Sequence, residues 1–129
     1  MNEPGEFHWN ELMTRDVEKA KAFYGAVCGW TFQEMEVDGI NYTIAMADDR
    51  PAGGIFPMTG EEFADVPEHW ISYVTVEDCD EAADAVVANG GVLKQAPFDV
   101  TGVGRIAVLQ DPGGAMIGVI KPAPPPEED

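Results

Sequence analysis

Shifted by 62 positions, this sequence falls on itself without a gap. Asp16 lands on Asp78, Ala20 on Ala82, Ala26 on Ala88 and Gly29 on Gly91. Further along, Ile44-Ala45 lands on Ile106-Ala107, Asp49 on Asp111 and Ile55 on Ile117. The identities are few, but they keep one register across the whole of each half. An internal repeat constrains the fold more than any composition value, because each half must then be one supersecondary unit built to the same plan. It also gives every residue of one half a counterpart in the other.

Read for local signals, the first half predicts β-α-β-β-β. Phe7 to Met13 alternates in character and reads as a strand. Asp16 is placed to cap the following helix, its carboxylate accepting an exposed backbone N–H. Val17, Ala20, Tyr24 and Val27 form an apolar stripe at helical spacing, and Gly29 ends the helix. Strands are expected at Trp30 to Val37, Asn41 to Ala47 and Gly53 to Met58, with Asp38-Gly39 as a hairpin turn and Asp48 to Ala52 as a polar turn. An acidic connector, Thr59 to Glu68, leads to the second copy. There a strand over Trp70 to Val76 precedes a helix capped by Asp78, with Glu81 at capping-box spacing, running to Asn89 and ended by Gly90-Gly91. Strands over Val92 to Ala96, Arg105 to Leu109 and Ala115 to Ile120 complete it. The tail from Pro122 to Asp129 is proline-rich and acidic, and is expected to be disordered.

The expected class is α+β. Two βαβββ modules, about 6–58 and 69–121, form a single domain over 1–121 and curve around a shared cleft. A chain of 129 residues supports one hydrophobic core. Its 24 acidic against 7 basic side chains, a net charge of −17, argue against nucleic acid and anionic membranes as partners. The excess acid reads as a solvated surface, or as adaptation to high salt. No basic region followed by an apolar run opens the chain, so no signal peptide is expected. Cys28 and Cys79 read as two reduced thiols of a cytoplasmic protein.

The string from Asp16 to Phe23-Tyr24, with Ala20 between and Gly29-Trp30 after it, resembles the D-x-x-x-A-x-x-F-Y…G-W motif of the vicinal oxygen chelate superfamily. That superfamily includes glyoxalase I, bleomycin-resistance proteins and extradiol dioxygenases. Asp111-Pro112-Gly113-Gly114 through Gly118 resembles its D-P-x-G-x-x-x-E ending. The likeness covers about residues 6 to 121. Gly54 to Met58, His69-Trp70 and Pro97 to Val100 are similar to an actinobacterial subgroup labelled as secreted antigens or hydroxylases. The resemblance implies four metal-ligand positions, on the first and fourth strands of each module. Here they fall on Trp9, Phe56, Ile71 and Gly118, none of which has a side-chain lone pair for a cation. No metal and no cofactor is therefore expected.

Strand alternation places Trp9, Glu11 and Met13 on one face, and Ile71 and Tyr73 on the equivalent face of the second module. Phe56, Met58, Met116 and Gly118 join them from the fourth and eighth strands. These residues are the expected ligand lining. Glu11 is the candidate general base and Tyr73 a candidate hydrogen-bond donor to substrate. Arg105 would either bind a ligand carboxylate or pair with Glu11 or Asp99. Trp9 and Phe56 would contact a ligand or simply pack the sheets. The expected function is that of a metal-independent binding protein, expected as a homodimer, holding a planar or apolar small molecule in the cleft; the alternative is a lyase, isomerase or oxygenase acting on a small oxygenated substrate.

Overall fold

The computed structural model describes residues 3–124. Its elements are β1 (Phe7–Thr14), α1 (Val17–Cys28), β2 (Thr31–Val37), β3 (Ile40–Ala47) and β4 (Arg50–Pro57), then β5 (His69–Thr75), α2 (Cys79–Ala88), β6 (Val92–Val100), β7 (Gly104–Gln110) and β8 (Met116–Pro122). This is an α+β fold of two βαβββ modules in tandem. The chain forms two compact units, one over Trp9–Ile71 and one from the segment through His8 together with Ser72 onward.

In the first unit the strands lie in the order β2-β3-β4-β1. β1 runs parallel to β4, and the β2–β3 and β3–β4 pairs are antiparallel. In the second unit the order is β5-β8-β7-β6, with β5 parallel to β8 and the other pairs antiparallel. The parallel pair in each module follows from a connection that passes through a helix and a hairpin before returning.

Local chemistry sets the boundaries. The Asp16 carboxylate accepts the Lys19 N–H at 3.0 Å, and Asp78 accepts that of Glu81 at 3.0 Å. Each satisfies one of the N–H groups a helix start leaves without a partner. Gly29 ends α1 in the left-handed region at φ 73°, where a Cβ would be strained. Asp38 and Gly39 both have positive φ, the two-residue turn whose twist matches a hairpin.

The structure departs from the sequence reading in four places. β4 begins at Arg50, not Gly53, because Asp48 takes a positive φ of 55° and closes the hairpin within two residues. β6 continues past Ala96 to Val100. Its Pro97 is tolerated because β6 is the outer strand of its unit, where a missing N–H breaks no inner ladder. The connector carries a short 3-10 helix, Glu61–Phe63. Pro122, expected in the disordered tail, closes β8 instead, and the Ala123 N–H donates to the Val103 carbonyl at 2.9 Å; residues 125–129 of the expected tail lie outside the described residues.

The repeat offset also changes along the chain. Glu11 pairs with Gly54 and Tyr73 with Gly118, so the first members are 62 apart and the second members 64. The extra two residues enter at β6, nine residues against seven in β2, and irregular pairings between Leu93 and Phe98 absorb them. The counterpart of Gly118 is therefore Gly54 and not Phe56.

Each sheet buries one face under its helix side. In the first unit Ile55, Thr43 and Ala45 are fully buried and Leu12 nearly so. In the second, Ala107 is fully buried, and Cys79 and Ala83 of α2 nearly so. Burying an Ile or Leu side chain of this kind contributes roughly 1.5–3 kcal/mol.

Candidate functional site

Alternation along β1 sends Leu12 and Thr14 to the buried helix side and Trp9, Glu11 and Met13 to the opposite face. On that opposite face the first unit builds a hydrogen-bonded chain. The Trp9 indole Nε1–H donates to Tyr42 Oη at 2.8 Å, and Tyr42 Oη–H donates to Glu11 Oε2 at 2.8 Å. The direction is forced. Indole nitrogen is only a donor, so the phenol oxygen accepts there, and the single phenolic proton goes to the carboxylate.

Tyr42 comes from β3, Gly54 from β4 and Glu11 from β1, three successive strands. The phenol reaches Glu11 only by crossing β4, and it crosses at Gly54. A Cβ built there would overlap the Tyr42 hydroxyl and ring carbons. Glycine inside a strand often marks such a close approach. Burial raises the Tyr42 phenol above its ordinary value, and the negative charge of Glu11 raises it further. The hydroxyl is thus a fixed, un-ionised donor.

Beside this chain the face carries apolar side chains, with Gln33 of β2 on the same face by register. Met13 pairs with Phe56 two positions along from Glu11 and Gly54, on the same face. The Phe56 ring also meets Phe63 at a centroid distance of 6.1 Å, so packing accounts for part of its surface. Met58 is buried, its N–H donating to the Thr14 carbonyl at 2.8 Å, and Ile71 is buried as well.

In the second unit Tyr73 is buried and pairs with Gly118. Its ring lies over that glycine, where a Cβ would overlap the ring carbons. Met116 is half-buried opposite Gln110. Arg105 is paired within its own unit. Its guanidinium donates to both carboxylate oxygens of Asp80 at 3.0 to 3.3 Å and pairs with Asp99 at 3.2 Å, which raises its pKa further. A fork-shaped guanidinium between two exposed aspartates is a surface pairing. Of the two readings the sequence left open, the structure shows the pairing, with Asp80 as the partner the sequence did not name.

A metal does not fit the positions that the resemblance implies. Trp9, Ile71 and Phe56 offer no donor atom, and the two glycines that correspond between modules, Gly54 and Gly118, are each overlaid by a tyrosine ring. A carboxylate grown from either glycine would displace that ring. Among the described residues, no group of three or more His, Cys, Asp and Glu gathers where it could hold an ion.

Two other grooves carry less chemistry. One of about 450 Å³ flanks α1 between Phe23, Tyr24, Trp70 and Leu12, on the opposite face of β1 from Glu11. Its Glu68 carboxylate is committed, accepting from Thr14 Oγ1 at 2.6 Å and from the Arg15 N–H at 3.1 Å, and these bonds lower its pKa. Trp70 Nε1–H donates to Tyr24 Oη at 3.0 Å within a cluster that includes Trp30. The other, of about 330 Å³, lies between Gly5, Thr75 and the acidic start of α2.

Residues 6–119 match the profile of the Glyoxalase/Bleomycin resistance protein/Dioxygenase superfamily. The chain belongs to that superfamily. It is 45% identical over 127 residues to the Mycobacterium tuberculosis protein CFP32, which carries the name glyoxylase, covering 96% of this chain and 47% of that protein. It is 33% identical over 120 residues to the anthracycline biosynthesis protein DauV of Streptomyces sp. strain C5, covering 92% of this chain and 42% of that one. The chain thus spans about half the length of the curated relatives it matches. Among solved structures, methylmalonyl-CoA epimerase from M. tuberculosis superposes with a TM-score of 0.63 at 18% identity, over 94% of this chain and 90% of the epimerase. That similarity shows the fold.

The sequence reading chose Glu11 and Trp9 and missed Tyr42. Tyr42 sits in a strand whose alternation is ordinary, and nothing nearby marks it. The signal lay in Gly54, a glycine within an apolar strand, which asks what occupies the missing side chain's place.

Proposed function

We propose that this protein binds a flat, largely apolar small molecule without using a metal, on the sheet face that carries Trp9, Glu11, Met13 and Phe56. The observation that carries this reading is the Trp9–Tyr42–Glu11 chain. It holds a single carboxylate in fixed orientation on an aromatic and Met-bearing surface. A surface of that kind suits a ligand that stacks on rings and is oriented by one polar contact. The superfamily includes both binding proteins and enzymes, and its name alone does not choose between them.

A second reading has the same carboxylate act as a general base on a bound substrate, with Tyr42 orienting it. The fixed geometry of Glu11 favours it, with the Tyr42 hydroxyl as a neutral donor beside it. Calorimetric titration with flat aromatic probes, comparing wild type with Glu11→Gln and Trp9→Ala, tests the binding reading. Saturable binding that weakens at least tenfold in either variant supports it, since about 1.4 kcal/mol is one decade. Equal affinity in all three proteins counts against this face.

A further inference from the structure

We infer that the groove beside α1 is a second ligand site of this chain, one that takes a flat, neutral aromatic molecule by its rings and by a carbonyl oxygen. It lies on the opposite face of β1 from Trp9 and Glu11, and it stands or falls independently of the reading above.

The repeat supplies an internal comparison. Each module has a groove at the same place, where the end of its first strand meets the start of its helix. Leu12, Thr14, Asp16 and Lys19 line the first, and Val74, Val76, Asp78 and Glu81, each 62 residues on, line the second. The fold therefore makes the depression, and the side chains decide what it can do. In the first copy Phe23 and Tyr24 carry the groove along α1. Their counterparts in α2 are Ala85 and Val86, which line no part of the second groove. With those smaller residues α2 still buries Cys79 and Ala83, whereas α1 buries no residue. Packing the helix of such a module does not demand a large ring at either place. Phe23 is 57% exposed and Trp70 39% exposed, so both keep surface on which a flat molecule can stack.

The polar atoms set the class of ligand. Trp70 Nε1–H donates to Tyr24 Oη at 3.0 Å. Indole nitrogen only donates, so the phenol keeps its own proton, which meets no acceptor among the described residues. Lys19 stands one helical turn from Phe23, at i, i+4 spacing. Its ammonium forms no hydrogen bond or ion pair among the described residues. The two carboxylates of the groove are engaged by the fold: Asp16 Oδ1 accepts the backbone N–H of Lys19, and Glu68 accepts from Thr14 and Arg15. His69 is tied in turn, its Nδ1–H donating to the Pro67 carbonyl at 2.7 Å. A phenol proton and an ammonium beside exposed rings fit an acceptor on a flat frame. An anionic acceptor would meet the charges of Asp16 and Glu68 and a net −17, so the acceptor that fits is neutral, a ring carbonyl.

The test follows the ¹H–¹⁵N indole resonances of Trp9, Trp30 and Trp70 while the full chain is titrated with coumarin or with indole, neutral probes of similar outline of which only coumarin carries a carbonyl. Coumarin is expected to move Trp70 in a saturable way. Lys19→Glu copies the charge that the second module carries at Glu81. It should weaken coumarin at Trp70 by at least about fivefold and leave indole within about twofold. Lys19→Met, which adds no charge, should show the same selectivity. Phe23→Ala copies Ala85 and should weaken both probes by about fivefold or more, with the fold intact by circular dichroism. Lysine variants that weaken both probes alike, or neither, overturn the inference. So does a Trp70 resonance that coumarin leaves unmoved; movement of Trp9 alone would also support the reading above. Sedimentation velocity on wild type and Phe23→Ala reads the other occupant: a dimer that the substitution dissociates means that a second copy fills the groove, and overturns the inference.

Discussion

Tyr42 lies across Gly54, so that a phenol from β3 passes over β4 and delivers its proton to Glu11 on β1. The pair behaves as one unit. The ring occupies the place a side chain at 54 would need, and the hydroxyl reaches the carboxylate only because that place is empty.

Gly54→Ala should therefore cost stability by forcing the ring aside, about 1–3 kcal/mol as for other overpacked sites. In a Tyr42→Ala background the same change should cost much less. Denaturant melts of the four proteins form a double-mutant cycle that reads the coupling. Independent, additive effects would mean that the ring and the glycine do not compete for the same space.

The alkaline limb of stability should depend on Tyr42. Its folded phenol is held above the ordinary tyrosine value of about 10, while the unfolded chain titrates near it. Above pH ~10 the unfolded state loses a proton that the folded state keeps, so folding stability falls as pH rises. Tyr42→Phe lacks this term. Its melting temperature should decline less than that of wild type between about pH 10 and pH 11, relative to each protein's value at pH 8. Parallel declines would show that the phenol titrates normally.

These relationships mark what the sequence could and could not disclose. The caps at Asp16 and Asp78, the turn at Asp38-Gly39 and the alternation that sets Trp9, Glu11 and Met13 on one face rest on bonds or sterics within a few residues, and all were legible. The Tyr42–Glu11 bond joins positions 31 residues apart across an intervening strand, and no local pattern encodes it. The extension of β6 past Pro97 depends on that strand being outermost, a property of the sheet rather than of the segment. The two residues added at β6 displaced the inferred counterpart of Gly118 from Gly54 to Phe56, because a gapless offset carries no record of irregular strand pairing.

Arg105 should matter for the surface and not for binding. Its partners Asp80 and Asp99 are both exposed, and pairs of that kind contribute about 0–1 kcal/mol. Arg105→Met is expected to shift the denaturation midpoint slightly and leave probe affinity within twofold. A loss of binding with an intact fold would return Arg105 to the ligand site.

Thr43 offers a test of the core alone. It is fully buried, and among the described residues its hydroxyl has no hydrogen-bond partner. Thr43→Val removes an unsatisfied polar group at similar shape, so the variant should be more stable by about 1 kcal/mol. Destabilisation in chemical denaturation would reveal that the hydroxyl is satisfied in solution.

The proposed metal-independent recognition by the Trp9–Tyr42–Glu11 face is tested most directly by one measurement: the affinity of a flat aromatic probe, 9-aminoacridine, for wild-type protein before and after exhaustive chelation, with metal content determined on the same samples. The expected result is an affinity unchanged within twofold and no stoichiometric metal at any stage. Binding that disappears on chelation and returns with one equivalent of a divalent ion would contradict it.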